Sequence, residues 1–306
     1  MHSRSVFLCR IGTNGTILTT MPLSTMVLLA IAVGLSVVQG VRLVFGRRWP
    51  FGSYVGFTWA FFMAFATAEL WYFRAGNWVV AIISFLALRE YFSMVEIRLQ
   101  DRPAILGAYA SIPFMFHFVT LGWYGMFIIS IPVYSFLAIP LLVTLGGREK
   151  EGTLFSIGVI DFGLFLLVYC LGHVSYLMSY SIWMAAMLIL NVAVCDAVGR
   201  LLRDQGKPIW ARLALRYFLP LPVTILLASV LSPWTTIPAR HSAVLGAMIP
   251  LLALLGRRTG SYVEADLGVA EETVGPGHGQ ILDNLKSLLL AAPIVFHYIR
   301  YFLALP

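Results

Sequence analysis

The chain is a succession of apolar runs of about 20 residues, each closed by a short break that carries charge, Gly or Pro. The runs fall at Met21–Phe45, Ser53–Phe73, Trp78–Ile97, Ala104–Trp123, Tyr124–Leu145, Thr153–Tyr176, Ser181–Leu202, Leu213–Ser232, Ala243–Gly256 and Leu288–Leu305. A helix of roughly 20 residues crosses the hydrocarbon layer of a bilayer. The pattern therefore predicts an all-α, polytopic membrane bundle. The ninth run is short and the break between the fourth and fifth is almost absent, so nine or ten spans fit. Residues 1–20 read as a tail and 21–306 as one transmembrane domain. The tail carries Arg4 and Arg10, but the apolar run begins only near Met21, is long enough to span and lacks a clear small-residue cleavage site. It reads as an uncleaved first helix rather than a signal peptide.

Composition sharpens this. Of 306 residues, 59% are hydrophobic and only 11% charged, against about 25% charged in a soluble domain. The mean hydropathy of +0.86 excludes a water-soluble globule. The three cysteines, Cys9, Cys170 and Cys195, show no CxxC spacing, so neither a disulfide framework nor a zinc site is implied.

Charge sets the orientation. With ten spans, fifteen of the 21 Lys and Arg fall on the face holding the loops after the odd-numbered spans, and Arg4, Arg10, Arg74 and Arg240 fall on the other. That bias places the first face in the cytosol and both termini outside, in a cell inner membrane. The net charge of +7 thus reflects cytosolic loops and not nucleic-acid binding. The basic stretch Arg200, Arg203, Lys207, Arg212 and Arg216 could hold phosphates, but an ordinary positive-inside loop against anionic lipid is the favoured account. Trp49, Tyr54, Trp71, Trp78, Trp210 and Trp234 stand near span ends, as an interfacial aromatic belt requires. No inverted repeat of the transporter kind is visible.

One long hydrophilic stretch, 257–287, reads as a cytosolic loop, where chemistry on a soluble substrate would take place. Its densest part is Pro276-Gly277-His278-Gly279-Gln280-Ile281-Leu282-Asp283-Asn284-Leu285-Lys286-Ser287, running into an apolar helix. Two glycines around a histidine let backbone approach a ligand, and a carboxylate five residues on could hold Mg²⁺. A tight turn capped by Asp283 at the mouth of the last helix accounts for the same residues.

This string, followed by Ala291-Ala292-Pro293, resembles the C-terminal signature of the phosphatidate cytidylyltransferases (CDP-diacylglycerol synthases), a Pro-Gly-His-Gly-Gly loop leading to Asp-Arg-x-Asp-Ser and a final membrane helix. Ser261-Tyr262-Val263 with Gly268, the Ser84–Tyr91 segment around Glu90, and Asn191 through Gly199-Arg200 are similar to three further elements of that family. The resemblance implies transfer of a cytidylyl group from CTP to phosphatidate, giving CDP-diacylglycerol and pyrophosphate. It also implies site roles: Asp283 and His278 in catalysis; Gly277, Gly279, Ser261, Ser287 and Lys286 in substrate binding; Asp283 and Glu271 on Mg²⁺. Several charges depart from the pattern. Arg257 stands where the family has a metal-binding Asp, Glu264-Ala265 where it has Lys-Arg, and Lys286 at its second Asp. The Ser-Pro-x-Lys-Thr-x-Glu-Gly element expected after Arg200 has no counterpart in 201–231. These reversals are expected to change the sign of the site, repelling a cation near Lys286 and Arg257 while still attracting a phosphate or an anionic phospholipid. The second reading is therefore a catalytically silent relative that binds lipid, pairs with itself or serves a partner subunit.

Polar residues inside spans are costly in lipid and tend to face a cavity or a partner. The candidates are Glu69, Arg89, Glu90, Asp161, His173, Asp196, His297 and Arg300. Asp196 lies one turn before Arg200, which predicts an i,i+4 ion pair.

Overall fold

A computed structural model describes residues 21–45, 52–146, 150–202, 208–268 and 279–303. Helices account for nearly all of them, and no strand occurs among the described residues. The ten apolar runs become ten rods. The first four are α1 (Leu23–Phe45), α2 (Gly52–Leu70), α3 (Phe73–Met94) and α4 (Arg102–Leu121). The fifth joins α5 (Tyr124–Ile129) to α6 (Phe136–Gly146), and the sixth joins α7 (Thr153–Leu164) to α8 (Cys170–Tyr180), each through one wider π-helical turn. Then come α9 (Ile182–Leu201), the pair α10 (Ile209–Phe218) and α11 (Leu221–Thr235), α12 (Ala239–Asp266) and α13 (Gln280–Phe302). Among the described residues, seven helical segments are long and apolar enough to cross a membrane, and the chain is an integral membrane protein.

The nearly absent break after the fourth run is a true helix end. Gly122 takes a left-handed conformation (φ 66°) and its N–H returns to the carbonyls of Phe118 and Val119, which closes α4 and lets α5 start two residues on. The short ninth run is longer than its apolar part: α12 covers 28 residues because Arg257–Asp266 continue the helix. The 257–287 stretch is accordingly not one loop. Its first ten residues belong to α12, and 280–287 are the opening two turns of α13.

The rods α8 and α9 fill the middle. Every residue from Cys170 to Met178 is buried, as is every residue from Trp183 to Ile189, the mark of helices surrounded by other helices. Leu106, Phe114, Leu137, Leu154 and Val230 stay exposed on outer faces, as lipid-facing side chains do. Close approach relies on small residues. A Cβ on Gly246 would lie 2.6 Å from Ile225 Cα, so α11 and α12 touch backbone to backbone.

The bundle gathers the basic breaks at one end. Arg98 pairs with Asp101 at 2.8 Å, Ser156 at the start of α7 donates to Asp101 at 2.5 Å, and Arg200 of α9 meets Asp283 of α13 at 3.2 Å. Arg42 of α1 lies in a groove with Gln280. At the opposite end the Tyr176 hydroxyl donates to Gly122 O and the Arg300 guanidinium sits 3.5 Å above the Tyr124 ring.

Candidate functional site

At the basic end, α3, α9, α12 and α13 bring together a polar cluster from residues up to about 190 positions apart in the chain. Its foundation is a pair of glycines one helical turn apart on α12. A Cβ on Gly256 would lie 2.6 Å from Lys286 O, and one on Gly260 would overlap the Lys286 side chain. The spacing Gly-x-x-x-Gly thus seats α13 directly on α12 and places Lys286 between them. We expect Gly260→Leu to force the helices apart and cost at least about 2 kcal/mol, read as a lower unfolding midpoint in detergent.

Lys286 is 1% exposed, and its ammonium lies 2.6 Å from Glu264 Oε2 and 2.7 Å from Asp283 Oδ1. The other oxygen of Asp283 meets Arg200, which also donates to Asn284 Oδ1 at 3.0 Å. One turn deeper, the Arg257 guanidinium donates to Asp196 Oδ1, and Ser287 Oγ donates to that same oxygen at 2.5 Å. Arg216 of α10 lines the small cavity beside Asp196 and Arg257.

Glu90 completes the arrangement from α3. Its carboxylate accepts the backbone N–H groups of Gln280 (3.1 Å), Ile281 (2.6 Å) and Leu282 (3.2 Å). These are donors that a helix start leaves without partners. The chain enters the helix through Gly279, whose φ of 77° suits glycine alone. Replacing Glu90 by Ala removes the acceptor and the charge at the helix start. The expected cost is about 2 kcal/mol, measured by denaturant unfolding.

Several sequence expectations change here. The start of α13 is capped by Glu90, 190 residues away, and not by Asp283, which stands one turn inside and points to cations. Asp196 pairs with Arg257 and Ser287 across the helix interface, not with Arg200 along its own helix. The reversed charges do not change the sign of the site, because they compensate: Lys286 meets Glu264, and Arg257 meets Asp196. Arg200, Arg257 and Lys286 face Asp196, Glu264 and Asp283, so these pairs balance, with Arg216 and Glu90 as one further cation and one further carboxylate among the described residues.

Of the expected site residues, the structure brings together Asp283, Lys286 and Ser287, with Gly279 at the turn that delivers them. Ser261 stands on α12 beside Gly260 with no side-chain hydrogen bond among the described residues. Gly277, His278 and Glu271 lie outside the described residues. The described donors do not fit a Mg²⁺ ion. No three metal-ligating side chains gather among the described residues, and both Asp283 oxygens face cations. In the sequence Arg257 and Glu264 stand out only as departures from the family pattern; in the structure their pairs with Asp196 and Lys286 hold the cluster together. The Gly256/Gly260 spacing was the available signal.

Of the other intramembrane polar residues, Glu69 accepts from Thr25 at 2.5 Å, and His173 Nδ1 meets Tyr169 O at 2.8 Å among aromatic rings. Both Asp161 oxygens are buried without a hydrogen-bond partner among the described residues.

Comparison with known proteins adds two similarities. The chain is 27% identical over 244 residues to the uncharacterized protein YnbB of Escherichia coli (strain K12), covering 72% of this chain and 78% of that one. It is 40% identical over 58 residues, 19% of this chain and 20% of the other, to a phosphatidate cytidylyltransferase of Synechocystis sp. (strain ATCC 27184 / PCC 6803 / Kazusa). No protein-family model and no solved structure matches. The chain is thus a polytopic membrane protein with local similarity to a phosphatidate cytidylyltransferase.

Proposed function

We propose that the protein is a CTP-dependent nucleotidyltransferase acting on a membrane lipid phosphate, converting CTP and phosphatidate into CDP-diacylglycerol and pyrophosphate. The observation that carries this reading is the convergence of segments. Glu90 on α3, Asp196 and Arg200 on α9, Arg257 and Glu264 on α12, and Asp283 to Ser287 on α13 lie far apart in sequence, and each belongs to an element that resembles the same family. The short identity to a phosphatidate cytidylyltransferase supports the same reading.

In this reaction a phosphate oxygen of the lipid attacks the α-phosphorus of CTP, and the bond to the β-phosphate oxygen breaks as pyrophosphate leaves. The groups that would neutralise the phosphates are Arg200, Arg216 and Arg257, with Lys286 enclosed behind them and holding Asp283 and Glu264 in place. Guanidinium groups already held in hydrogen-bond geometry by carboxylates, as Arg200 and Arg257 are, need little rearrangement to donate to phosphate oxygens instead. Asp283 and Glu264 then act as positioning groups that keep these cations aimed at the site while it is empty. The positive-inside bias turns this end of the bundle to the cytosol, where CTP is found, and leaves both termini outside.

Binding tests the reading. The purified protein in phosphatidate-containing nanodiscs should bind labelled CTP saturably, with unlabelled CTP competing and ATP competing far less. Equal competition by ATP, or no saturable CTP binding by folded protein, would overturn it.

A further inference from the structure

Among the described residues, grooves lie on two sides of the polar cluster, and their charges differ. The larger, about 1000 Å³ between α3, α7 and α12, has aromatic walls including Tyr91, Phe155 and Phe162, but it carries Glu96 and Asp266. The smaller, about 250 Å³, lies between α1, α2, α3 and the start of α13. Its polar end holds Arg42 and Gln39 of α1 with Gln280 and Asn284 of α13, and its walls are Phe57, Trp59, Ile83 and Leu86.

Three observations make the smaller groove a site. The first is charge. Among the described residues Arg42 has no carboxylate partner, and its guanidinium is held only by Gln39 Oε1 at 3.4 Å. A cation kept at the edge of an apolar bundle without a counter-charge attracts an anion, most strongly where water is partly excluded. The second is space. A Cβ on Gly56 would come within 2.8 Å of the Arg42 guanidinium, so this glycine makes the room that the cation occupies. The third is polarity along the groove. Gly56 and Leu86 lie toward the basic end, while Ala60 and Ile83 lie about one turn deeper on antiparallel helices, so the lining passes from polar to apolar into the membrane. The start of α13 is not the attraction, since Glu90 already takes its N–H groups.

We propose that this groove binds an anionic phospholipid, with the phosphate on Arg42 and one acyl chain along Phe57, Trp59, Ile83 and Leu86. Asn284 lines the groove and also receives the Arg200 hydrogen bond, so the headgroup lies next to the cluster that holds Asp283. The site deepens the proposed function, because it supplies the seat of the lipid substrate. It does not need turnover to be tested.

The experiment is native mass spectrometry of the purified full-length protein titrated with phosphatidate or with phosphatidylcholine of the same acyl chains. Wild type should prefer phosphatidate. Arg42→Gln should weaken phosphatidate binding about tenfold, a loss of about 1.4 kcal/mol, with phosphatidylcholine binding unmoved and Arg42→Lys retaining most of the preference. Gly56→Leu, which fills the polar end, should lose phosphatidate binding as well. Soluble glycerol 3-phosphate should not displace the lipid, because it lacks the chain. Unchanged phosphatidate binding in both Arg42→Gln and Gly56→Leu would overturn the site, and so would displacement by glycerol 3-phosphate. Binding with this pattern but without CTP turnover leaves the lipid site standing and removes only the enzymatic reading.

Discussion

Lys286→Met is expected to destabilise the protein by about 3–5 kcal/mol, more than any surface charge change. The side chain is fully enclosed between α12 and α13 and satisfies two carboxylates, Glu264 at 2.6 Å and Asp283 at 2.7 Å. Removing one member of a buried pair leaves a charge with neither water nor a partner, and that penalty exceeds what the pair itself contributes to stability. Glu264 suffers most, because its second oxygen is buried without a hydrogen bond among the described residues. Asp283 keeps Arg200. A second substitution should therefore rescue the first. Glu264→Gln alone should cost less, and in the Lys286→Met background it should recover a large part of the loss, since the unpaired charge is gone. Denaturant unfolding of the four proteins in one detergent closes the cycle. Additive effects, with no rescue, would show that Lys286 and Glu264 do not form a pair.

The second large effect concerns turnover. On the proposed cytidylyl transfer, Asp283→Asn is expected to lower turnover by about a hundredfold or more while leaving the fold intact, because the change keeps the shape and removes the charge that aligns Arg200 and Lys286. Losing one preorganised electrostatic element of a phosphate-transfer site costs about 10²–10³ in rate. Arg200→Gln should act in the same direction by withdrawing a cation from the phosphates. A purely structural role for Asp283 would predict instead a lower unfolding midpoint with the remaining folded protein fully active. The unfolding midpoint and the rate therefore have to be measured on the same preparation.

Much of the fold was legible in the chain. Ten apolar runs became ten rods, because in lipid every backbone group must bond within its own helix and hydropathy therefore maps almost directly onto segments. The polar continuation of α12 was missed for a physical reason: Arg257 to Asp266 leave the apolar layer but keep helical bonding, and Glu264 and Arg257 find partners on other helices. The cluster was half legible. Asp283, Lys286 and Ser287 could be picked out because they stand together on one helix start, and Asp196 and Glu90 because charges in spans are costly. Which charge meets which could not be read. Asp196 has a sequence neighbour in Arg200, yet its partner is 61 residues away because helix packing decides between them. The apparent reversals at Arg257, Glu264 and Lys286 looked like a change of sign only because each was considered without its partner.

The most direct measurement is the fate of labelled CTP when the purified protein meets phosphatidate in mixed micelles. The expected result is label in CDP-diacylglycerol with pyrophosphate released in equal amount. Protein that is folded and binds phosphatidate, yet leaves all the CTP unchanged, would contradict the account and identify the bundle as a lipid-binding scaffold without chemistry.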